Sequence, residues 1–243
     1  MILSTRYKKA VPAYVWKRGR YLKKLLAHLG TYKNEPYSLP NSETDFSFIT
    51  NEGNSWYEGL PERGLISEIE KKVNGETVFY DVGAHFGFHS TAACAAGVHP
   101  DQTHAFEAAL FPHHVLRKNA SRVGFTAVHA FVGEGGSELS IDEYTKRNLD
   151  PTLVKIDVEG AEGSVLSGMK NTIQRSKPTL LIEMHPSKIE NFPCGIEYIF
   201  QTLEGSGYNL SAVRNEPHYE EIADVSPSTF SGFPDLSLRA VYP

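Results

Sequence analysis

Residues 80–91 read Tyr80-Asp81-Val82-Gly83-Ala84-His85-Phe86-Gly87-Phe88-His89-Ser90-Thr91, and the order of residue types in them decides the fold. Just before, Thr77-Val78-Phe79-Tyr80 is a short apolar run of strand type. It closes on an acid, Asp81. Gly83 and Gly87 follow, and glycine lets backbone approach a ligand because no Cβ intervenes. The residues after Gly87 can be helical, and a helix opening there points unpaired N–H groups over the turn. The stretch is a strand, a cradling turn and a helix start.

Spacing narrows the ligand. Dinucleotide folds use Gly-x-Gly-x-x-Gly; here the glycines stand as Gly-x-x-x-Gly, with His85 between them. No Gly-Lys-Ser/Thr follows, so the turn is not a P-loop. An acid-led turn of this kind suits a ligand carrying an ammonium and a carboxylate, such as S-adenosylmethionine. Asp81, Gly83, Ala84, His85 and Gly87 are then the candidate binding residues. The same spacing also serves as a plain strand-to-helix turn, and the loop alone does not choose.

The following strands do. Thr103-His104-Ala105-Phe106 ends on Glu107, 24 residues after Gly83. One βα unit covers that distance, and an acid at the tip of the neighbouring strand can accept both ribose hydroxyls. A third strand near 126–132 runs into Gly133-Glu134-Gly135-Gly136, so Gly133 is a candidate for the adenine side. Leu153-Val154-Lys155-Ile156 leads into Asp157-Val158-Glu159-Gly160-Ala161-Glu162. Ligands of open parallel sheets sit outside the carboxyl ends of the strands. Asp157 and Glu159 therefore join Gly83 and Glu107 on one side. Glu162 reads as a helix-start acid favoured by the dipole. Thr179-Leu180-Leu181-Ile182 ends on Glu183 and His185, and His185 is either a general base or a hydrogen-bonded wall residue.

With these residues in place, the chain resembles the FkbM family of S-adenosylmethionine-dependent methyltransferases. The resemblance rests on Asp81-Val82-Gly83-Ala84, Phe106-Glu107, Ile141-Asp142-Glu143-Tyr144, Lys155-Ile156-Asp157-Val158-Glu159-Gly160-Ala161-Glu162 and Ile182-Glu183, over about residues 65–186. It implies a Rossmann-like class I methyltransferase fold and O-methylation of a hydroxyl on a sugar, glycolipid or other small natural product. Two positions depart from the family. His85 stands where Asn is usual, and Ala108 stands where Pro commonly follows the ribose-binding acid.

Asp157, Glu159 and His185 are the candidates for taking the hydroxyl proton. Asp157 is alternatively a ligand for a divalent metal, with Glu183 as a second oxygen donor. N-methylation fits less well, because the chain has no Pro-Pro pair of the kind that base-directed N-methyltransferases carry. A nucleotide-cofactor oxidoreductase and a non-catalytic cofactor-binding protein are the other readings.

Composition sets the frame. The 243 residues are 40% hydrophobic and 22% charged, enough for one sizeable core. Residues 1–33 hold nine of the 24 Lys+Arg and no acid; the rest holds 15 against 29 Asp+Glu, or −14. Such a body disfavours nucleic acid as a partner. The apolar residues of the basic segment, Tyr7 to Leu29, recur at helical spacing. They pack on the domain, pair in an oligomer, or lie on an anionic membrane surface. There is no apolar run of about 18 residues and no secretory signal, so the expectation is a cytoplasmic protein. Cys94 and Cys194 are expected as reduced, buried thiols.

The expected architecture is α/β: a doubly wound, mostly parallel sheet over residues 46–243, preceded by a helical, basic extension over 1–45. Helices are expected over 60–73, 115–123 and 195–206, and late strands over 208–213 and 236–241. Residues 31–55 read as irregular. The long connection 214–235 is expected to cover the acceptor.

Overall fold

A computed structural model describes residues 32–42, 44–51, 60–190, 192–214, 220–230 and 236–243. Most of the expected basic extension lies outside them.

The described chain opens with a hairpin, β1 (Tyr32–Ser38) and β2 (Asp45–Asn51), paired antiparallel. The irregular reading of 31–55 was wrong here. Pro36 and Pro40 read as loop signals, but Pro36 sits inside β1, where a two-stranded ribbon tolerates it. The hairpin also straddles residue 45, where the extension was expected to end.

Next come α1 (Arg63–Lys72), β3 (Phe79–Val82), α2 (Phe88–Ala95), β4 (Thr103–Glu107), α3 (Leu110–Val123) and β5 (Thr126–His129). After α4 (Ile141–Tyr144) follow β6 (Leu153–Ile156), α5 (Glu162–Ser167), α6 (Lys170–Ser176), β7 (Thr179–Glu183) and α7 (Pro186–Ile189). The described chain closes with α8 (Ile196–Gly205), β8 (Asn209–Arg214), β9 (Glu220–Ile222), α9 (Pro227–Phe230) and β10 (Leu236–Val241). Helix α3 starts five residues before the expected 115, because Pro112 lies in its first turn, where the missing N–H costs nothing. Helix α1 starts later than expected, since Pro61 and a left-handed Glu62 (φ 46°) precede it.

The large sheet has the order β5-β4-β3-β6-β7-β10-β8-β9. β5, β4, β3, β6 and β7 are parallel, and β10, β8 and β9 continue antiparallel. Alternate residues of the central strands face opposite helical layers. Phe79, Leu153 and Leu181 pack with Leu65 and Ile69 of α1. Tyr80, Val154, Leu180 and Ile182 pack with Val165 and Leu166 of α5 and Ile199 and Leu203 of α8. Each such side chain, fully buried, contributes about 1.5–3 kcal/mol. This is the doubly wound sheet expected from the sequence.

Strand order reverses between β3 and β6. The chain steps from β3 outward to β5, then crosses back to β6 and β7. Crevices form at such a switch point, outside the carboxyl ends of the strands.

Candidate active site

A cavity of about 420 Å³ opens at that switch point, a size ordinary for small-molecule sites of roughly 300–1,000 Å³. Of the residues singled out from sequence, Gly83, His85, Glu107, Asp157, Glu159 and His185 line it. Glu183, the expected second oxygen donor, lines it too, and so do Glu62 and Phe131, which the sequence did not single out.

Asp81, Ala84, Gly87 and Gly133 do not line it. Asp81 is fully buried in β3. Its Oδ2 accepts a hydrogen bond from Ser90 Oγ at 2.6 Å, so it braces α2 beneath the cavity. Ala84 and Gly87 shape the turn from behind. At Gly133 the chain has already folded away: its N–H donates to Leu139 O at 3.0 Å, and its carbonyl lies against Gly168. Backbone reaches the wall one step earlier, at Ala130, Phe131 and Val132.

The turn after β3 is tight for a visible reason. Gly83 has φ +79°, and a Cβ there would come within 1.7 Å of Asp157 O. The donor turn therefore lies directly on the end of β6. His85 also has a positive φ, 50°. Asn and His are among the few side chains that tolerate this region, which fits His85 at a position where the family it resembles usually has Asn. That backbone twist turns His85 N–H onto Glu107 Oε2 at 2.9 Å; Ala109 N–H donates to Oε1 at 2.6 Å. Glu107 is thus held rigidly, and each oxygen keeps a lone pair for the cavity. Burial pushes its carboxyl up, and these two hydrogen bonds oppose the rise.

Lys155 organises the floor. It is 2% exposed, and its Nζ reaches Gly83 O and Asp157 Oδ2 at 3.1 Å each and Asp81 Oδ1 at 3.4 Å. Burial pulls its pKa down, but Asp157, Asp81, Glu62 and Glu183 together hold it well above the ordinary lysine value. The same lysine, with His185, outweighs burial at Asp157 and keeps that carboxyl below its usual range. Glu183 goes the other way. Burial, then Asp157 and Glu62, push its pKa up to about 8.

His185 stands at the far end. Its Nδ1–H donates to Glu162 Oε1 at 2.9 Å. Its Nε2 faces Asp157 Oδ1 at 3.8 Å, Glu183 Oε1 at 3.8 Å and Glu159 Oε2 at 3.7 Å. Glu162 is fully buried and also accepts from Gly160 N–H at 3.0 Å. The helix-start reading of Glu162 therefore missed its second task, which is to orient His185. Glu62 enters through an ion pair with buried His89 at 3.1 Å. Of the five non-glycine positive-φ residues described, three (Glu62, His85 and Glu159) are on this wall. Such strain concentrates at functional sites.

Glu62, Glu107, Asp157, Glu159 and Glu183 make the cavity acidic. Two negative phosphates of a dinucleotide would be repelled here; a cationic ligand would be favoured. The residues present therefore fit S-adenosylmethionine, which carries a sulfonium and an ammonium.

A mostly parallel sheet with a glycine turn and an acid on adjacent strand tips is a Rossmann-like, nucleoside-binding arrangement. Solved structures agree on the fold. A SAM-dependent methyltransferase from Agrobacterium tumefaciens superposes with TM-score 0.52 at 12% identity, over 86% of this chain and 70% of that one. An FkbM methyltransferase from Methylobacillus flagellatus KT superposes with TM-score 0.50 at 18% identity, over 70% of this chain and 44% of that one. The aligned region is thus under half of that second protein. In sequence, residues 137–210 match the Methyltransferase FkbM domain, which bears out the resemblance to that family over this segment. No curated protein matches the chain.

Two remaining expectations concern the rest of the molecule. Cys94 and Cys194 are both free, and both are partly exposed where full burial was expected. Among the described residues, no helix is long and apolar enough to cross a membrane.

Proposed function

We propose that this chain is an S-adenosylmethionine-dependent O-methyltransferase acting on a hydroxyl of a sugar, glycolipid or other small natural product. The observation that carries the reading is the acidic cavity at the switch point. Its glycine turn lies directly on the end of β6, rigid Glu107 closes β4, and its acid–base cluster stands after β6 and β7.

The donor, when bound, supplies a methyl already activated by the sulfonium. Glu107 takes the ribose hydroxyls, with its orientation fixed by His85 and Ala109 N–H. Ala130, Phe131 and Val132 form an apolar wall that would take the adenine. Gly83 lets the turn lie directly on the end of β6, where it would hold the methionine end of the donor. The hydroxyl acceptor enters beside Asp157, Glu159 and His185, which hold it and take its proton. Alignment of two reactants contributes up to ~7–11 kcal/mol, and a positioned base ~10²–10⁴ in rate. The hydroxyl reading is supported by this group of proton acceptors and by the absence of a Pro-Pro motif after β6.

The reading is tested by incubating the protein with methyl-labelled S-adenosylmethionine and fractionated cell glycans and lipids. A labelled methyl ether, with stoichiometric S-adenosylhomocysteine, is expected. Label on nitrogen or carbon, or none with a donor that binds, would refute O-methylation.

For residues 1–33 we propose peripheral contact with anionic membranes, which would suit a lipid-carried acceptor. Vesicle pelleting that is equal before and after deletion of residues 1–33 would end that proposal.

A further inference from the structure

We propose that Asp157, Glu183 and His185 form a binding site for a hard divalent cation of the Mg²⁺ or Mn²⁺ class, beside the acceptor end of the cavity. This rests on the O-methyltransferase reading and deepens it.

Geometry is the first support. One ligand atom from each of the three side chains can be chosen so that all lie within 4.8 Å of one another. His185 Nε2 stands 3.8 Å from Asp157 Oδ1 and 3.8 Å from Glu183 Oε1. Those separations are too long for hydrogen bonds. They suit two ligands on one ion, because donors each ~2.1 Å from a metal lie ~3.0–4.2 Å apart.

The second support is the partner behind the histidine. Fully buried Glu162 accepts from His185 Nδ1–H at 2.9 Å, which leaves the Nε2 lone pair pointing at the two carboxylates. A carboxylate behind an imidazole is the arrangement that fixes a metal-binding tautomer. The general-base reading of His185 uses the same tautomer, but it does not explain why Asp157 and Glu183 converge on the same nitrogen.

Third, two carboxylate oxygens here are buried without a hydrogen-bond partner among the described residues: Glu183 Oε2 and Glu162 Oε2. A buried polar atom of this kind is costly unless it finds a hydrogen-bond partner or coordinates a metal. The described cation beneath the site, Lys155, is already placed between Asp81 and Asp157. Glu62 and Glu159 line the same cavity, the first paired with His89 and the second with Lys188.

Two carboxylates and one imidazole leave about half of an octahedral shell open. Oxygen-rich sets of this sort suit Mg²⁺ and Mn²⁺. The open positions are where a sugar hydroxyl or vicinal diol would sit. A cation there lowers the pKa of the hydroxyl. Glu159, on the rim, then accepts the proton as the donor's C–S bond breaks and the O–CH₃ bond forms. The products are a methyl ether, a neutral thioether and protonated Glu159.

Mn²⁺ binding to the purified full chain is measured by electron paramagnetic resonance, with S-adenosylhomocysteine binding measured on the same sample. One saturable Mn²⁺ site is expected, weakened at least ~10-fold in Asp157→Asn and in Glu183→Gln and unchanged in Glu143→Gln, a surface acid elsewhere. A wild-type protein that binds S-adenosylhomocysteine but no Mn²⁺, or variants that bind Mn²⁺ as tightly as wild type, would overturn the cation site. A protein that binds Mn²⁺ through these residues but not S-adenosylhomocysteine would keep the site and refute the methyl-donor reading. Crystals of the wild type grown with Mn²⁺ decide the matter even if a variant does not fold. An anomalous peak among the three side chains supports the site, and a peak elsewhere overturns it.

Discussion

Lys155 contributes no surface to the cavity, yet it sets the charge beneath it. It is held by Asp81, Asp157 and the Gly83 carbonyl, so it ties the donor turn to the end of β6. Replacing it by methionine leaves the buried Asp81 carboxylate and the partly exposed Asp157 carboxylate without their shared cation. Breaking a buried pair from one side costs about 3–5 kcal/mol. Lys155→Met should therefore unfold at much lower urea concentration than wild type, and an unchanged midpoint would remove the lysine from this role. Glu107 acts on the ligand side. Glu107→Ala should weaken S-adenosylhomocysteine binding by ~1.5–3 kcal/mol, the worth of charge-assisted hydrogen bonds, as read by calorimetry. Asp157→Asn should behave differently: turnover falls well below that of wild type while donor affinity changes less. An equal loss of both would mean Asp157 holds the donor and not the acceptor.

Turns and helices carry the site as units. Asn119 of α3 is fully buried. Its side chain accepts from Ile49 N–H at 2.8 Å and donates to Ile49 O at 2.9 Å and Phe86 O at 3.0 Å. One amide thus joins the hairpin, the donor turn and α3. Asn119→Ala leaves three backbone groups short of partners, each worth about 1–3 kcal/mol if it stays dry. A lowered melting temperature is the expected outcome, and an unshifted one would show that the hairpin docks without it. Gly83→Ala should be worse than its size suggests, because the new Cβ meets the Asp157 carbonyl.

These units differ in how openly the sequence declares them. Glu107 and Asp157 were legible because each closes an apolar strand, and parallel topology sends those strand ends to one side. Glu62 was not legible. It precedes a helix far away in the chain, and tertiary packing alone brings it to the cavity. The hairpin did leave a signal, since Phe46, Phe48 and Thr50 alternate inward along β2, but the prolines masked it. Glu162 carried the pattern of a helix start, and its bond to His185 spans 23 residues. No local pattern reports that. Gly133 misled for the opposite reason: glycine marks a turn, but not the face toward which the turn folds.

At the scale of the whole molecule, charge is divided. Residues 1–33 are basic, and the remainder carries −14. The acidic cavity is the local focus of that remainder. A cationic donor that binds the folded chain alone should stabilise it, by about 2.7 kcal/mol at 100 times its dissociation constant. A dinucleotide carrying two phosphates should leave the melting temperature unmoved, and stabilisation by NAD equal to that by S-adenosylmethionine would favour oxidoreductase chemistry.

The most direct measurement is a crystal structure grown with saturating S-adenosylhomocysteine. The account predicts its ribose hydroxyls on the Glu107 carboxylate, its amino-acid end over Gly83 and its sulfur facing Asp157. Density for the molecule outside the switch-point cavity, or a ribose turned away from Glu107, would contradict it.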